Sequence, residues 1–390
     1  MDARRLQESW NLVAGHGDQV PLFFYSTLFF THPQTRDMFP IGMAGQRDKL
    51  FTALGTIVSR VDRVDDLVPY LGQLGRDHRK FSVTADHYPA VGAALLATLA
   101  HFLGPRWTEE LAADWQAAYE LVAKVMAEAA EKAAADSPPW WDAEVISHER
   151  RTLDVAVLTV KPTYRLEFRP GQSLSVETHL RPGLWRYYSP ANAPRPDGGI
   201  ELHVRMVPGG PVSSALVHGV QVGDVLRLGA PVGDRLTLDP DGDRPLLLLA
   251  GGTGLAPMKA LIGQLAGQPG GRPERTVTLV AGARTDHDLY DWAALEHLAK
   301  SHRRWLTVTP AVSEVALGPQ ERGTAVEVAL RLGRFTDHEV YVCGSDQMVR
   351  DSAQRLAQCG VPAERIRFES FTGLGGEQYG IAFHGKDFEA

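Results

Sequence analysis

The spacing of apolar residues changes period twice along this chain, so one uniform architecture cannot bury all of it. Up to about residue 135 the period is helical. Leu50, Leu54, Ile57 and Val61 recur at three- and four-residue steps, as do Val91, Leu95, Leu99 and Phe102, and then Leu111, Trp115, Tyr119, Val122 and Met126. From about 143 to 240 the period is two. "LDVAVLTV" (Leu153–Val160) alternates, and Ile200, Leu202, Val204 and Met206 share one face of "IELHVRMV". Turns such as "RPGQS", "RPDGG" and "PGG" separate these short strands, a pattern that predicts a small antiparallel barrel. From about 244, apolar strand runs ("PLLLLAG", "TVTLVAG", "WLTVTPAV", "EVYVCG", "RIRFESF") alternate with helical stretches, which predicts a parallel sheet covered by helices.

The fold class expected is therefore multidomain: all-α, then antiparallel β-barrel, then α/β with a parallel sheet. The 390 residues leave room for that many cores. "AAADSPPWWD" (Ala133–Asp142) stops the helical texture with two prolines. The boundaries read as a helical domain over 1–135, a linker over 136–143, the barrel over 144–242, the α/β domain over 243–371 and a tail over 372–390.

A net charge of −7 argues against nucleic acid or an anionic membrane as the main partner. Two cysteines, Cys343 and Cys359, cannot form a disulfide framework or supply the four ligands of a plant-type iron–sulfur cluster. "MDARRLQESW" has no apolar leader core, and the longest aliphatic run, "PLLLLAGG", is too short to span a bilayer. A cytoplasmic protein with no membrane span and no obligatory protein partner is expected.

Five stretches carry chemistry. In "LGQLGRDHRKF" (Leu71–Phe81), His78 ends the helical stripe Leu67–Leu71–Leu74. On the stripe alone, a hydrogen-bonded core histidine and a metal ligand both remain open. "GGTGLAPM" (Gly251–Met258) follows an apolar strand and opens a helix. Its glycines either make a plain turn or let backbone N–H groups approach a phosphate, and "YVCGSDQM" at the end of a later strand favours the nucleotide. "WRYYSP" (Trp185–Pro190) suits a flavin: Arg186 for pyrophosphate, Tyr188 for packing on the ring, Ser189 as a donor. "GGPVSSAL" (Gly209–Leu216) adds backbone donors and a helix start near Ser213.

In that order, residues 144–371 resemble the ferredoxin–NADP reductase superfamily. "RYYS" is similar to its R-x-Y-S motif, "GGTGLAP" to its nicotinamide loop and "CGSDQM" to its C-G-x-x-x-M segment. The resemblance implies FAD at Arg186, Tyr188, Ser189, Gly210, Val212 and Ser213. It implies NADH or NADPH at Gly251, Gly252, Thr253, Gly254, Cys343 and Gly344, with Phe371 covering the flavin.

With a helical domain ahead of such a reductase, the whole chain to Phe371 resembles a flavohaemoglobin. "FFYSTLFFTHPQTRDMF" (Phe23–Phe39) is similar to the second and third helices of a bacterial globin, and "QRDKLF" (Gln46–Phe51) follows. The resemblance implies haem b with His78 as iron ligand, Phe39 and Leu50 against the porphyrin, Tyr25 and Gln46 as distal catalytic residues and Tyr88 near the ligand. Tyr25 as a core tyrosine and Gln46 as a solvated helix-start residue are the alternatives.

Two positions depart from the family. Asp77 stands where a lysine is usual, and Ala130 where a proximal glutamate is usual, with Glu128 and Glu131 close by. These departures resemble the divergent actinobacterial type II subgroup. The implied activity is electron flow from NAD(P)H through FAD to haem, with O₂ oxidising nitric oxide to nitrate. A flavohaem electron-transfer enzyme with another donor, such as D-lactate, and a haem-based gas sensor or O₂ carrier are the alternatives. Asp286 and Asp288, against Arg284, predict NADH over NADPH.

Overall fold

The computed structural model describes residues 1–267, 275–314 and 321–370. The chain divides into two compact units, Met1–Trp140 and the part from Trp141 on.

The first unit is helical: α1 (Ala3–Ala14), α2 (Gln19–Thr31), α3 (Ala44–Ser59), α4 (Val64–His78), α5 (Tyr88–Leu103) and α6 (Glu109–Asp136). Each buries its apolar stripe, and Leu6, Trp10, Phe24, Leu28, Leu95, Leu99 and Trp115 form the main core. A smaller cluster of Leu67, Tyr70, Leu71 and Met126 joins α4 to α6. There the backbones nearly touch: a Cβ on Gly75 would lie 2.2 Å from the Met126 carbonyl oxygen, so only glycine fits.

One helical stretch, Ala85–Arg106, is long and apolar enough by composition to cross a membrane. The reading from aliphatic runs passed over it because alanines and a histidine interrupt its leucines. In the fold, Ala94, Leu95, Thr98, Leu99 and Leu103 of α5 are buried in the helical core.

The second unit opens with a six-stranded antiparallel sheet. Its strands are β1 (Trp141–Arg150), β2 (Val155–Pro162), β3 (Leu174–Thr178), β4 (Arg186–Tyr188), β5 (Ile200–Arg205) and β6 (Val225–Leu228), in the order β4-β3-β6-β1-β2-β5. A bridge between Pro190 and Leu202 brings the two edges together into a nearly closed barrel. β1 starts inside the stretch expected as linker, because Trp141, Ala143 and Val145 alternate inward and are buried. A short helix, α7 (Pro211–Ser214), follows β5.

A five-stranded parallel sheet completes the unit. It comprises β7 (Leu246–Gly251), α8 (Leu255–Ala266), β8 (Val277–Ala283), α9 (Trp292–Ser301), β9 (Leu306–Val312), α10 (Ala325–Leu332), β10 (Glu339–Gly344), α11 (Asp346–Gln358) and β11 (Ile366–Ser370). The order β11-β10-β7-β8-β9 puts β7 in the centre, and the chain goes to one side for β8 and to the other for β10. That reversal opens a crevice at the C-terminal ends of β7 and β10, where open α/β sheets bind ligands.

Candidate functional site

In the helical unit, α4 delivers His78 at its last turn, and the ring's Nδ1 lies 2.7 Å from the Leu74 carbonyl oxygen. A carbonyl only accepts, so Nδ1 carries the proton and the lone pair of Nε2 is left for another partner. No other described residue hydrogen-bonds that ring. Burial lowers the pKa of His78, which keeps the imidazole neutral, as metal ligation requires.

The other named residues of this unit fall in two groups. Tyr25 is 5% exposed and its ring packs edge-on to Phe39 at 5.3 Å; Gln46 acts on its hydroxyl against the shift that burial causes. Burial pushes the phenol up to about 12, so it stays protonated and can donate. Leu50 packs in the same core. Tyr88 instead joins Leu74 at the α4–α6 cluster. Its carbonyl accepts from the Tyr119 hydroxyl at 2.5 Å, and its own hydroxyl has no partner among the described residues.

An apolar hollow lies where the two clusters meet, with Leu54, Val58 and Leu95 on one side and Leu67, Leu71 and Val122 on the other; His78, Tyr25, Gln46, Phe39 and Leu50 are not in its lining. Its apolar lining, bordered by the Leu67–Leu71 stripe that ends in a neutral histidine, is of the kind that receives haem. Among the described residues no group of three metal-ligating side chains competes for an ion.

The proximal surroundings differ from expectation. Asp77 is not an open charge: Lys80 Nζ is 2.6 Å from its Oδ1, and the two side chains are 11% and 3% exposed. Glu128 and Glu131 on α6 are exposed, so the Leu74 carbonyl, not a carboxylate, orients His78.

In the barrel, Arg186 and Tyr188 point to one face of β4 by strand alternation, Arg186 exposed and Tyr188 half-buried against the barrel core. Arg186 donates to the Trp185 carbonyl at 2.8 Å, and no carboxylate of the described residues pairs with it. Ser189 Oγ lies 3.2 Å from Ser173 Oγ. Val212 and Ser213 are buried on α7, and the Ser213 hydroxyl accepts from the Val207 N–H at 3.1 Å, closing the loop over Gly210. An unpaired arginine with a tyrosine on its own strand face fits the pyrophosphate and ring of a flavin. Phe371 lies outside the described residues.

The two glycine-bearing motifs meet at the switch point. A Cβ on Gly254 would lie 2.2 Å from the Cys343 carbonyl oxygen, and one on Gly251 or Gly344 would collide with Met348 Sδ. Gly252, at φ +54°, and Thr253 form the turn into α8. Cys343 is buried, and burial pushes its thiol up, so it stays protonated. Arg205, from β5, reaches this loop. Its guanidinium is 3.9 Å from where a Gly252 Cβ would be, and its Nε is buried with no partner among the described residues. The guanidinium also faces Asp154 at 3.5 Å, and its one unpartnered nitrogen beside a glycine turn fits a dinucleotide phosphate.

Arg205 escaped the sequence reading because it alternates outward on β5 in a segment read only for its apolar face. Asp288 is engaged by the Thr285 hydroxyl at 2.9 Å and by Arg205 at 3.8 Å; Asp286 is exposed.

Fold and sites together define a redox protein that joins a globin to a flavin-dependent nicotinamide reductase. Residues 22–126 match the globin family model, 141–235 the oxidoreductase FAD-binding domain and 248–354 the oxidoreductase NAD-binding domain. The flavohemoprotein of Bacillus subtilis (strain 168) is 26% identical over 383 residues, covering 91% of this chain and 93% of that one. Terephthalate 1,2-dioxygenase reductase component 1 of Comamonas sp is 34% identical over 234 residues, covering 59% of this chain and 67% of that one. The flavohemoglobin of Malassezia yamatoensis, solved with bound FAD and heme, shares the fold at a TM-score of 0.77 and 20% identity, over 95% of this chain and 98% of that one. The chain belongs to the flavohaemoglobin family, with haem, FAD and NAD as its cofactors.

Proposed function

We propose that the chain is a nitric oxide dioxygenase that uses NAD(P)H and O₂ to convert nitric oxide to nitrate. One NAD(P)H would supply the two electrons needed to turn two NO and two O₂ into two nitrates. When bound, the nicotinamide supplies hydride, the flavin divides it into single electrons, and the haem iron takes them and binds O₂.

The chain's own residues would do the rest. His78 would ligate iron through Nε2 while Leu74 fixes its ring. Tyr25, held protonated by burial, would donate into the distal space together with Gln46, and Phe39 and Leu50 would keep water out. Arg186, Tyr188, Ser189, Gly210, Val212 and Ser213 would hold FAD. Gly251 to Gly254, Cys343, Gly344 and Arg205 would hold the dinucleotide. The cytoplasm is the proposed location, since NAD(P)H is the donor.

The observation that carries this reading is the presence, in one helical unit, of a buried Tyr25 packed on Phe39 and a His78 held at Nδ1 with Nε2 left over. An NO electrode tests it: the FAD- and haem-loaded protein should consume NO continuously with NADH in air. Binding that stops after one equivalent would leave a gas sensor or O₂ carrier.

The proximal side favours a second reading. A carbonyl acceptor gives the histidine less electron push than a carboxylate would, and Asp77 is neutralised by Lys80. Haem reduction that is slow with NADH and fast with D-lactate in anaerobic stopped-flow mixing would move the assignment to an electron-transfer enzyme with that donor.

A further inference from the structure

A second buried histidine lies far from any role so far assigned. His203, on β5, has a side chain 0% exposed, and both ring nitrogens are occupied: Nε2 is 2.9 Å from Glu201 Oε1 and Nδ1 is 2.7 Å from the Tyr290 hydroxyl. A carboxylate only accepts, so Nε2 carries the proton and Nδ1 accepts from Tyr290. Glu201 Oε1 is also 2.9 Å from Lys259 Nζ, and Lys259 Nζ is 2.5 Å from Asp291 Oδ2, whose side chain is 1% exposed.

The network ties three elements together. Glu201 and His203 belong to the edge strand of the FAD barrel. Lys259 sits on the second turn of α8, just after the glycine loop. Tyr290 and Asp291 lead into α9 and line, with Gly252, a shallow hollow at the C-terminal ends of β7 and β8. Two arginines, Arg195 at 3.3 Å from Glu201 and Arg151 at 3.9 Å from Asp291, complete the charge balance at its rim.

If this were only cement between two lobes, apolar side chains would serve as well or better, because buried ion pairs gain little over well-packed hydrocarbon. Hydrogen-bonded charges fix a geometry that apolar contact does not, and here they fix a pocket wall. We propose that Glu201, His203 and Lys259 are positioning residues for the nicotinamide cofactor, holding the Tyr290–Asp291 wall of its pocket in register with the FAD barrel. The proposal rests on reading Gly251–Gly254 as the dinucleotide loop.

The test uses the full-length, FAD-loaded protein and its NADH–ferricyanide reductase activity, which needs neither haem nor NO. Lys259→Met should raise KM for NADH on the order of tenfold, equivalent to one lost charge-assisted contact. Its kcat should stay within about twofold of wild type and its FAD content unchanged, and Lys259→Arg should recover most of the loss. Tyr290→Phe removes one hydroxyl without disturbing the charges and should raise KM about threefold, a smaller hydrogen-bond effect; it keeps the test decisive if Lys259→Met fails to fold. An unchanged KM in both variants, or FAD loss and a fallen kcat at wild-type KM, would overturn the proposal. Gly252→Val is the control: if it too leaves KM unchanged, the fault lies in the reading of the loop.

Discussion

Burial lowers the pKa of both His78 and His203, yet the two imidazoles are arranged for opposite tasks. His78 gives one nitrogen to the carbonyl of its own helix and keeps the other free, inside a unit whose nearby hollow is apolar. His203 has both nitrogens engaged across two lobes, within a chain of alternating charges. An imidazole held at one nitrogen is a ligand in waiting, and one held at both is a strut. The neighbouring ion pairs obey the same contrast. Asp77–Lys80 is closed within one helical turn, whereas Glu201–Lys259–Asp291 spans separate elements.

The contrast breaks most sharply at His78. His78→Ala should lose nearly all stable haem while FAD absorbance persists, read from the Soret band against flavin absorbance in the purified protein. A normal Soret band would remove His78 as the ligand. His203→Ala should leave haem content as in wild type.

Next in size is Asp77→Lys. A second cation beside the buried Lys80 should destabilise the helical unit by about 3–5 kcal/mol, the usual result of stranding a buried charge. Chemical denaturation followed by haem absorbance measures it. Wild-type stability together with faster flavin-to-haem transfer would show instead that the charge at Asp77 acts on electron flow.

Tyr25→Phe removes the distal donor but leaves the aromatic packing. Loss of a hydrogen bond worth roughly 1.4 kcal/mol should speed O₂ dissociation from the reduced protein about tenfold. Flash photolysis gives that rate, and an unchanged value would make Tyr25 a core residue.

The smallest effect is on pH dependence. His203 has its folded pKa below the ordinary 6.5, because burial outweighs Glu201. The unfolded chain therefore takes up this proton first as pH falls below 6.5, and stability of the second unit declines through that window. FAD retention on heating, compared from about pH 7.5 to about pH 5.5, should show the decline in wild type and a flatter slope in His203→Gln. Identical slopes would mean that His203 does not govern the acid side.

The order of the three architectures was determined by the sequence itself, because hydrophobic period is a local property: about 3.6 in the helical unit, two for β2 and β5, and apolar runs for β7 to β11. The glycine motifs were legible as strand-to-helix turns, and the fold adds that a side chain at Gly254 would strike the Cys343 carbonyl while one at Gly251 or Gly344 would displace Met348. What the sequence could not show is which residues from distant segments face each other. β1 begins at Trp141, inside the expected linker, where β2 and β6 receive its inward-alternating Trp141, Ala143 and Val145. His203 reads as an ordinary polar residue on an alternating strand, and Lys259, Tyr290 and Asp291 as surface residues of other elements. Only the packing of the barrel edge against α8 and α9 removes them from water and obliges them to satisfy one another. Asp77, read in the sequence only as a departure from the family's lysine, is by contrast paired locally, with Lys80 three residues on. Partners across sequence are set by tertiary packing, because desolvation and pairing of charge depend on what surrounds a group in space.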